Sequence, residues 1–165
     1  MRAAVTDTAL SVLVIVIHTT LTEFTAVLGI VPDIPLLWIV CLAVRRGQIA
    51  GTAGGFLIGL TLDLLSGDGA MLGLSAFTMT LAGFVAGYFY NENKIWQTLG
   101  GTRLLAITGV AAVVHHLLYF LIFLQGTQIS WWATLLRYSL PSALYTTAVA
   151  VLPMLWIRRR HELQL

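Results

Sequence analysis

Charged side chains are scarce in this chain of 165 residues, since they make up 10% of it against 58% for hydrophobic residues. An average soluble domain carries about 25% charged residues, so this chain has too few to cover a water-facing surface. The mean hydropathy of +0.89 points the same way. The composition therefore argues against a soluble domain and favours a polytopic membrane protein.

Cysteine and the common catalytic motifs are also nearly absent. The one cysteine, Cys41, excludes an internal disulfide and a cysteine metal cluster. The sequence has no serine elbow, no phosphate-binding loop and no HExxH motif. The net charge is +2, but the basic residues are spread between apolar runs without an aromatic–basic patch, which argues against nucleic-acid binding. We therefore predict a protein that is not an enzyme and needs no cofactor.

Long apolar runs are what the chain has instead. A helix that crosses the hydrocarbon layer needs about 20 residues. The number and length of the apolar runs predict an all-α bundle of six transmembrane helices in one membrane domain, 1–165. The predicted segments are 8–28, 32–44, 49–65, 71–90, 103–124 and 134–157. Arg2 precedes the first run as in a signal peptide, but we expect a retained span because the run is long and contains His18 and Glu23.

The second segment is short for a span, at about 13 residues. A re-entrant hairpin is the alternative, although Arg45 and Arg46 at its end can snorkel and lengthen it. Charge placement favours six crossings with both termini in the cytoplasm, since this puts eight of the nine basic residues inside and only Arg137 outside. The eight are Arg2, Arg45, Arg46, Lys94, Arg103, Arg158, Arg159 and Arg160.

Glycines recur every fourth residue in the third and fourth segments. They are Gly51, Gly55, Gly59, Gly83 and Gly87. Stripes of small residues let helix backbones approach closely in a membrane, where packing replaces the hydrophobic drive. The pattern predicts close packing between these two segments, and the alternative is that part of the stripe binds the helix of a partner.

Three charges fall within apolar segments, where they are expensive and mark pairing or function. With six crossings, Glu23, Asp63 and Arg137 all come near the outer ends of their helices. We therefore expect Arg137 to pair with one of the two acids. The alternatives are that each charge reaches the headgroup region separately, or that the three serve transport or a substrate.

A polar layer is predicted near mid-membrane from His18, His115, His116 and Tyr119. Three histidines near a carboxylate can form a metal site or a proton relay. However, adjacent histidines project about 100° apart on a helix of 3.6 residues per turn, and the i, i+4 spacing of two ligands is absent. We therefore favour hydrogen-bonded histidines or the lining of a polar cavity over a metal site.

The run PDIPLLWIVCLAVRRGQIAGTAGGFLIGLTLDLLSGDGAMLGLSAF, which begins at Pro32, resembles the hallmark of the MreD family of bacterial rod shape-determining membrane proteins. The matching features are the Pro-Asp start, Arg46-Gly47, Gly55-Phe56, Gly59-Leu60, Asp63 and Leu72-Gly73. Chain size, helix count and short soluble parts also fit. MreD-like proteins are in turn similar to the six-helix substrate-binding subunits of energy-coupling-factor transporters.

The resemblance implies a non-catalytic scaffold of the multi-pass type in the bacterial inner membrane. It would act in lateral peptidoglycan synthesis within the elongasome, bind the membrane helix of an MreC-like partner and work with MreB, RodA and the elongation-specific transpeptidase. The glycine stripe and Asp63 would carry functional importance. The alternative is the substrate-binding subunit of a micronutrient transporter, with an outer pocket lined by Glu23, Asp63, Arg137, Ser142, Tyr145 and Thr146. A proton-coupled carrier that uses the histidines is a third possibility, disfavoured because the chain is short for two inverted repeats.

Overall fold

The computed structural model describes residues 2–25, 30–66, 72–125 and 130–162, with the side chains of 2–4, 21–23, 25, 161 and 162 excepted. Within these ranges the chain is all-α, as predicted, and contains no strand. The helices are α1 (Arg2–Thr25), α2 (Ile34–Arg46), α3 (Gln48–Leu65), α4 (Leu74–Gly87), α5 (Ile95–Leu99), α6 (Thr102–Phe123), α7 (Trp131–Thr134), α8 (Leu140–Val149) and α9 (Val151–Glu162). A 3-10 turn (Glu92–Lys94) precedes α5, and a π-helical turn (Leu135–Ser139) joins α7 to α8.

Three described helical stretches are long and apolar enough to cross a membrane, namely Gln48–Leu65, Thr102–Phe123 and Trp131–Arg160. Two shorter apolar helices, Val5–Thr20 and Leu74–Gly87, accompany them. These stretches agree with the membrane class that the composition predicts. The predicted end of the first segment at residue 28 and the predicted start of the fourth at residue 71 lie outside the described residues.

Helix α2 forms the centre of the bundle. It contacts α1, α3, α4, α5 and α6, and most of its side chains are buried, including fully buried Leu36, Ile39 and Val40. A helix that is apolar all round is expected in such a position. Because its neighbours surround it, α2 can be only 13 residues long and still be shielded from lipid over its length.

Both ends of α2 have clear chemical causes. At its start Oδ1 of Asp33 accepts a hydrogen bond from the backbone N–H of Leu36 at 2.9 Å, and Pro35 occupies the first turn, where a missing N–H is harmless. At its end Gly47 adopts a φ of 89°, in the region that favours glycine, and the chain turns directly into α3. Arg45 and Arg46 in the last turn both form ion pairs with Asp7 of α1, at 3.3 and 3.0 Å.

Helices α3 and α4 pack backbone against backbone through the glycine stripe. A Cβ atom on Gly51 would lie 2.5 Å from Cβ of Ala43 and 2.7 Å from the carbonyl oxygen of Gly83. A Cβ on Gly59 would lie 2.5 Å from the carbonyl oxygen of Ser75. Real Cβ atoms do not come this close to such neighbours, so side chains at these positions would force the two helices apart.

Candidate functional site

The start of α2 brings a carboxylate into the middle of the protein. Asp33 is 7% exposed, and both of its carboxylate oxygens are used. Oδ1 caps α2, while Oδ2 lies 3.1 Å from Nε2 of His115 on α6. The backbone N–H of Asp33 donates to Oγ1 of Thr146 on α8 at 3.0 Å. A single residue therefore ties α2 to α6 and α8.

Two adjacent histidines of α6 face this carboxylate. His115 and His116 are 4% and 7% exposed, and their ring centroids are 4.9 Å apart. His116 stacks on Phe120, with 6.3 Å between centroids. Among the residues that the structure describes, Nδ1 of His115 and Nε2 of His116 are buried without a hydrogen-bond partner. Such buried atoms cost free energy unless water, an ion or a ligand satisfies them.

The π-helical turn fixes the backbone beside the histidines. Its last residue, Ser139, is fully buried, and its hydroxyl donates to the carbonyl oxygen of His116 at 3.3 Å. π-helical turns widen a helix locally and are frequent at functional sites. Here the widened turn lies directly against the helix that carries the two imidazoles.

A partly open cavity of about 820 Å³ lies over this cluster. It is lined by all four residues of the predicted polar layer, His18, His115, His116 and Tyr119. Residues of α1, α3, α4, α6 and α8 therefore meet at one site. Further polar lining residues are Thr19, Asp33, Ser66, Ser75 and Ser142.

The two histidines reach the same cavity although they are adjacent on α6. The angle of about 100° between adjacent side chains describes only the direction in which each leaves the helix axis, whereas an imidazole extends several ångströms beyond it. As a result, Asp33, His115 and His116 each place one donor atom within 4.8 Å of the other two. A carboxylate and two imidazoles at this spacing can share a proton, bind a polar ligand or coordinate a metal ion.

The three predicted outer charges do not form one described cluster. The carboxylate of Asp63 accepts hydrogen bonds from the backbone N–H groups of Gly73, Ser75 and Ala76, at 2.9, 3.1 and 3.1 Å. It thereby caps the start of α4 from the neighbouring helix. Arg137 is exposed, and no ion pair joins it to Asp63 among the described side chains. The side chain of Glu23 lies outside the described residues, so a pair between Glu23 and Arg137 stays a prediction.

All five glycines of the predicted stripe lie in contacts within the chain. Gly55 faces the backbone of Met79, Gly83 faces Gly51, and Gly87 faces Gln48. Their surfaces are used by α3 and α4 themselves. A partner's helix would therefore have to bind another part of this helix pair.

An apolar groove of about 520 Å³ runs along the outer side of the same pair. Small or short side chains form its middle, with Ala53 exposed and Thr80 half-buried. Phe56 and Phe84, both exposed, border it. Gln48 closes one end and donates through its side-chain amide to the carbonyl oxygen of Phe84 at 3.2 Å.

Sequence reasoning missed Asp33 as a cluster residue and Asp7 as an ion-pair partner. The predicted segment 32–44 contains Asp33 at its start, but only as part of the Pro-Asp pair of the family motif. The signal that could have identified it is its position directly before Ile34 and Pro35, which is typical of a helix cap. Nothing in the sequence alone indicates that this cap lies inside the bundle.

Comparison with known proteins identifies a family match. The family described as rod shape-determining protein MreD matches residues 3–160. No curated protein and no solved structure matches the chain, so its similarity to energy-coupling-factor transporter subunits stays a prediction. The family match covers nearly the whole chain and agrees with the all-α structure and its apolar helices. This chain belongs to the MreD family, the rod shape-determining proteins of the bacterial inner membrane.

Proposed function

We propose that this chain is a non-catalytic scaffold subunit of the bacterial cell-elongation machinery and binds the membrane helix of an MreC-like partner. The observation that carries the proposal is the family match over residues 3–160. A role in lateral peptidoglycan synthesis alongside MreB, RodA and the elongation-specific transpeptidase follows as part of the same proposal.

The apolar groove on α3 and α4 is the surface we assign to the partner's helix. Helices associate in lipid where small residues allow close approach, and Ala53, Thr52 and Thr80 provide such a floor between Phe56 and Phe84. The hydroxyls of Thr52 and Thr80 already donate to backbone carbonyl oxygens of their own helices, at 2.8 and 2.5 Å. They can therefore meet an apolar helix without losing a hydrogen bond.

We further propose one membrane domain with six crossings and both termini in the cytoplasm. The ion pairs of Asp7 with Arg45 and Arg46 support this, because they place the start of α1 and the end of α2 at the same end of the bundle. Helix α5, which follows Lys94, packs against α9, which carries Arg158, Arg159 and Arg160. Basic residues thus collect at one end, as the positive-inside tendency requires.

Substitution of Ala53 by tryptophan tests the groove. Co-expressed MreC-like protein should be recovered about tenfold less with Ala53→Trp, because overpacking of an interface costs about 1–3 kcal/mol. Ala148→Trp is the matched control, since Ala148 is also an exposed helical alanine but lies on α8. Equal recovery with both variants would rule out the groove, and no recovery of the partner with the unaltered chain would rule out the scaffold role.

The cavity favours a second candidate function, the substrate-binding subunit of an energy-coupling-factor type transporter. Its volume of about 820 Å³ and its polar residues suit a small ligand. Isolation of the chain from native membranes separates the two candidates. Recovery of cell-wall synthesis proteins supports the scaffold, whereas recovery of transporter ATPases supports the transporter.

A further inference from the structure

The unpartnered Nε2 atom of His116 in the buried cluster requires an explanation that the scaffold role does not supply. His116 is more than nine-tenths buried, and its Nε2 atom has no hydrogen-bond partner among the described residues. His115 and Asp33 are also more than nine-tenths buried. Two of the three side chains come from α6 and the third is the N-cap of α2, and all three line the same cavity. We propose that Asp33, His115 and His116 bind a divalent transition-metal ion of the Zn²⁺ type at the base of the cavity.

The spacing of the first two donors already suits such an ion. Zn²⁺ binds imidazole nitrogen and carboxylate oxygen at about 2.0–2.2 Å, so two ligands of a tetrahedral site lie about 3.3 Å apart. Oδ2 of Asp33 and Nε2 of His115 are 3.1 Å apart. The ion would take the place of the proton that the two groups otherwise share.

The third donor needs a small movement. The donor atom of His116 lies within 4.8 Å of those of Asp33 and His115, so it must approach by at most about 1.5 Å to reach tetrahedral spacing. Rotation of a side chain can provide this, because the cavity leaves free space beside the ring. The backbone under His116 is meanwhile held by Ser139.

The donor set selects the class of ion. Two imidazoles and one carboxylate suit Zn²⁺ and its neighbours, whereas Mg²⁺ and Ca²⁺ prefer sites built from oxygen alone. One carboxylate neutralises only half of the ion's charge. The fourth position faces the cavity, where water, hydroxide or an anionic ligand can complete the coordination, as in zinc sites with three protein ligands.

The test uses the full chain purified in detergent with a tag that contains no histidine. After loading with Zn²⁺ and desalting, elemental analysis should find one ion per chain. Loading with Co²⁺ should give the visible absorption of a tetrahedral site, which Zn²⁺ abolishes by displacement. Absence of both signals from the unaltered protein overturns the proposal without any variant.

Variants then assign the ligands. His116→Gln and Asp33→Asn should each weaken Zn²⁺ binding more than a hundredfold, because loss of even an outer partner of a ligand costs about 10–100-fold. Asparagine also caps helices well, so Asp33→Asn keeps α2 intact. His116→Cys restores a zinc ligand and should regain binding. Zn²⁺ retained by both His116→Gln and Asp33→Asn would show adventitious binding and overturn the site.

Two controls separate this site from the rest of the protein. His161→Gln removes the histidine near the C terminus and should leave the stoichiometry unchanged. Ala53→Trp, which alters the proposed partner groove, should also bind one ion. The tests therefore distinguish a failure of the proposed metal site from a failure of the proposed partner groove.

Discussion

Oδ2 of Asp33 lies 3.1 Å from Nε2 of His115, and this contact joins the first residue before the central helix to the middle of α6. The same aspartate caps α2 through its other oxygen and binds Thr146 through its backbone. The buried cluster therefore stabilises the arrangement of three helices as well as lining the cavity.

Two substitutions of Asp33 separate its role as the cap of α2 from the role of its negative charge. Asp33→Ala should destabilise the protein by about 3–5 kcal/mol, because it removes the cap and leaves the partner groups of a buried network unsatisfied. Asp33→Asn should cost less, since asparagine still caps α2. Thermal unfolding of the purified protein, with a chelator present to exclude metal effects, measures the difference. Equal losses for the two variants would contradict a role for the cap.

Replacement of Gly83 tests the α3–α4 contact. Gly83→Ala should lower the thermal unfolding midpoint, because the new methyl group would overlap the backbone of Gly51 and overpacking costs about 1–3 kcal/mol. Gly109→Ala on α6 is the matched control, since its Cβ would lie 3.5 Å from Oγ1 of Thr147, at ordinary contact distance. It should be neutral or stabilise by up to about 1 kcal/mol. If the Gly83→Ala protein is as stable as the Gly109→Ala protein, α3 and α4 are not in close backbone contact at Gly83.

Replacement of Asp63 tests its role as a cap for α4. Asp63→Ala leaves three backbone N–H groups without their acceptor, and a loss of at least about 2 kcal/mol of stability is expected. Asp63→Asn keeps one acceptor oxygen, so its stability should lie between that of Asp63→Ala and that of the unaltered protein. Thermal unfolding again provides the measurement. If Asp63→Ala unfolds like the unaltered protein but loses its partner, the residue serves recognition instead.

Single cysteines test the proposed topology. In a Cys41→Ala background, Ser66→Cys should react with a membrane-impermeant maleimide added to spheroplasts, whose cytoplasmic membrane is still sealed. Asn93→Cys should react only after permeabilisation. Both native side chains are exposed, so access within the protein is not limiting. Labelling of both Ser66→Cys and Asn93→Cys from outside would exclude the single membrane crossing proposed between these two residues.

The helical class could be predicted because hydropathy and helix length act locally along the chain. The glycine spacing likewise predicts close approach, and the structure places Gly51 against Gly83. Asp63 is different. Its three backbone donors belong to the next helix, and their position depends on how closely α3 and α4 pack, which sequence spacing alone does not give.

The cavity shows the same limit more clearly. The predicted polar layer combines His18 of α1 with His115, His116 and Tyr119 of α6 by their depth along these two helices, and all four line one cavity. Asp33, which contacts His115, could not be added to this group because α2 starts well inside the bundle. That depth follows from the packing of five neighbouring helices and not from any local pattern.

The shortness of α2 has an electrical consequence. A helix of 13 residues is about 20 Å long, whereas the hydrocarbon layer measures about 30 Å. With the proposed topology, the polar cavity occupies the remaining depth on the outer side. A charge that moves across the full membrane potential changes its energy by about 2.3 kcal/mol per 100 mV. We expect most of this voltage to fall across α2, so that Asp33 and the two histidines are electrically close to the outer solution although they are buried deep in the protein.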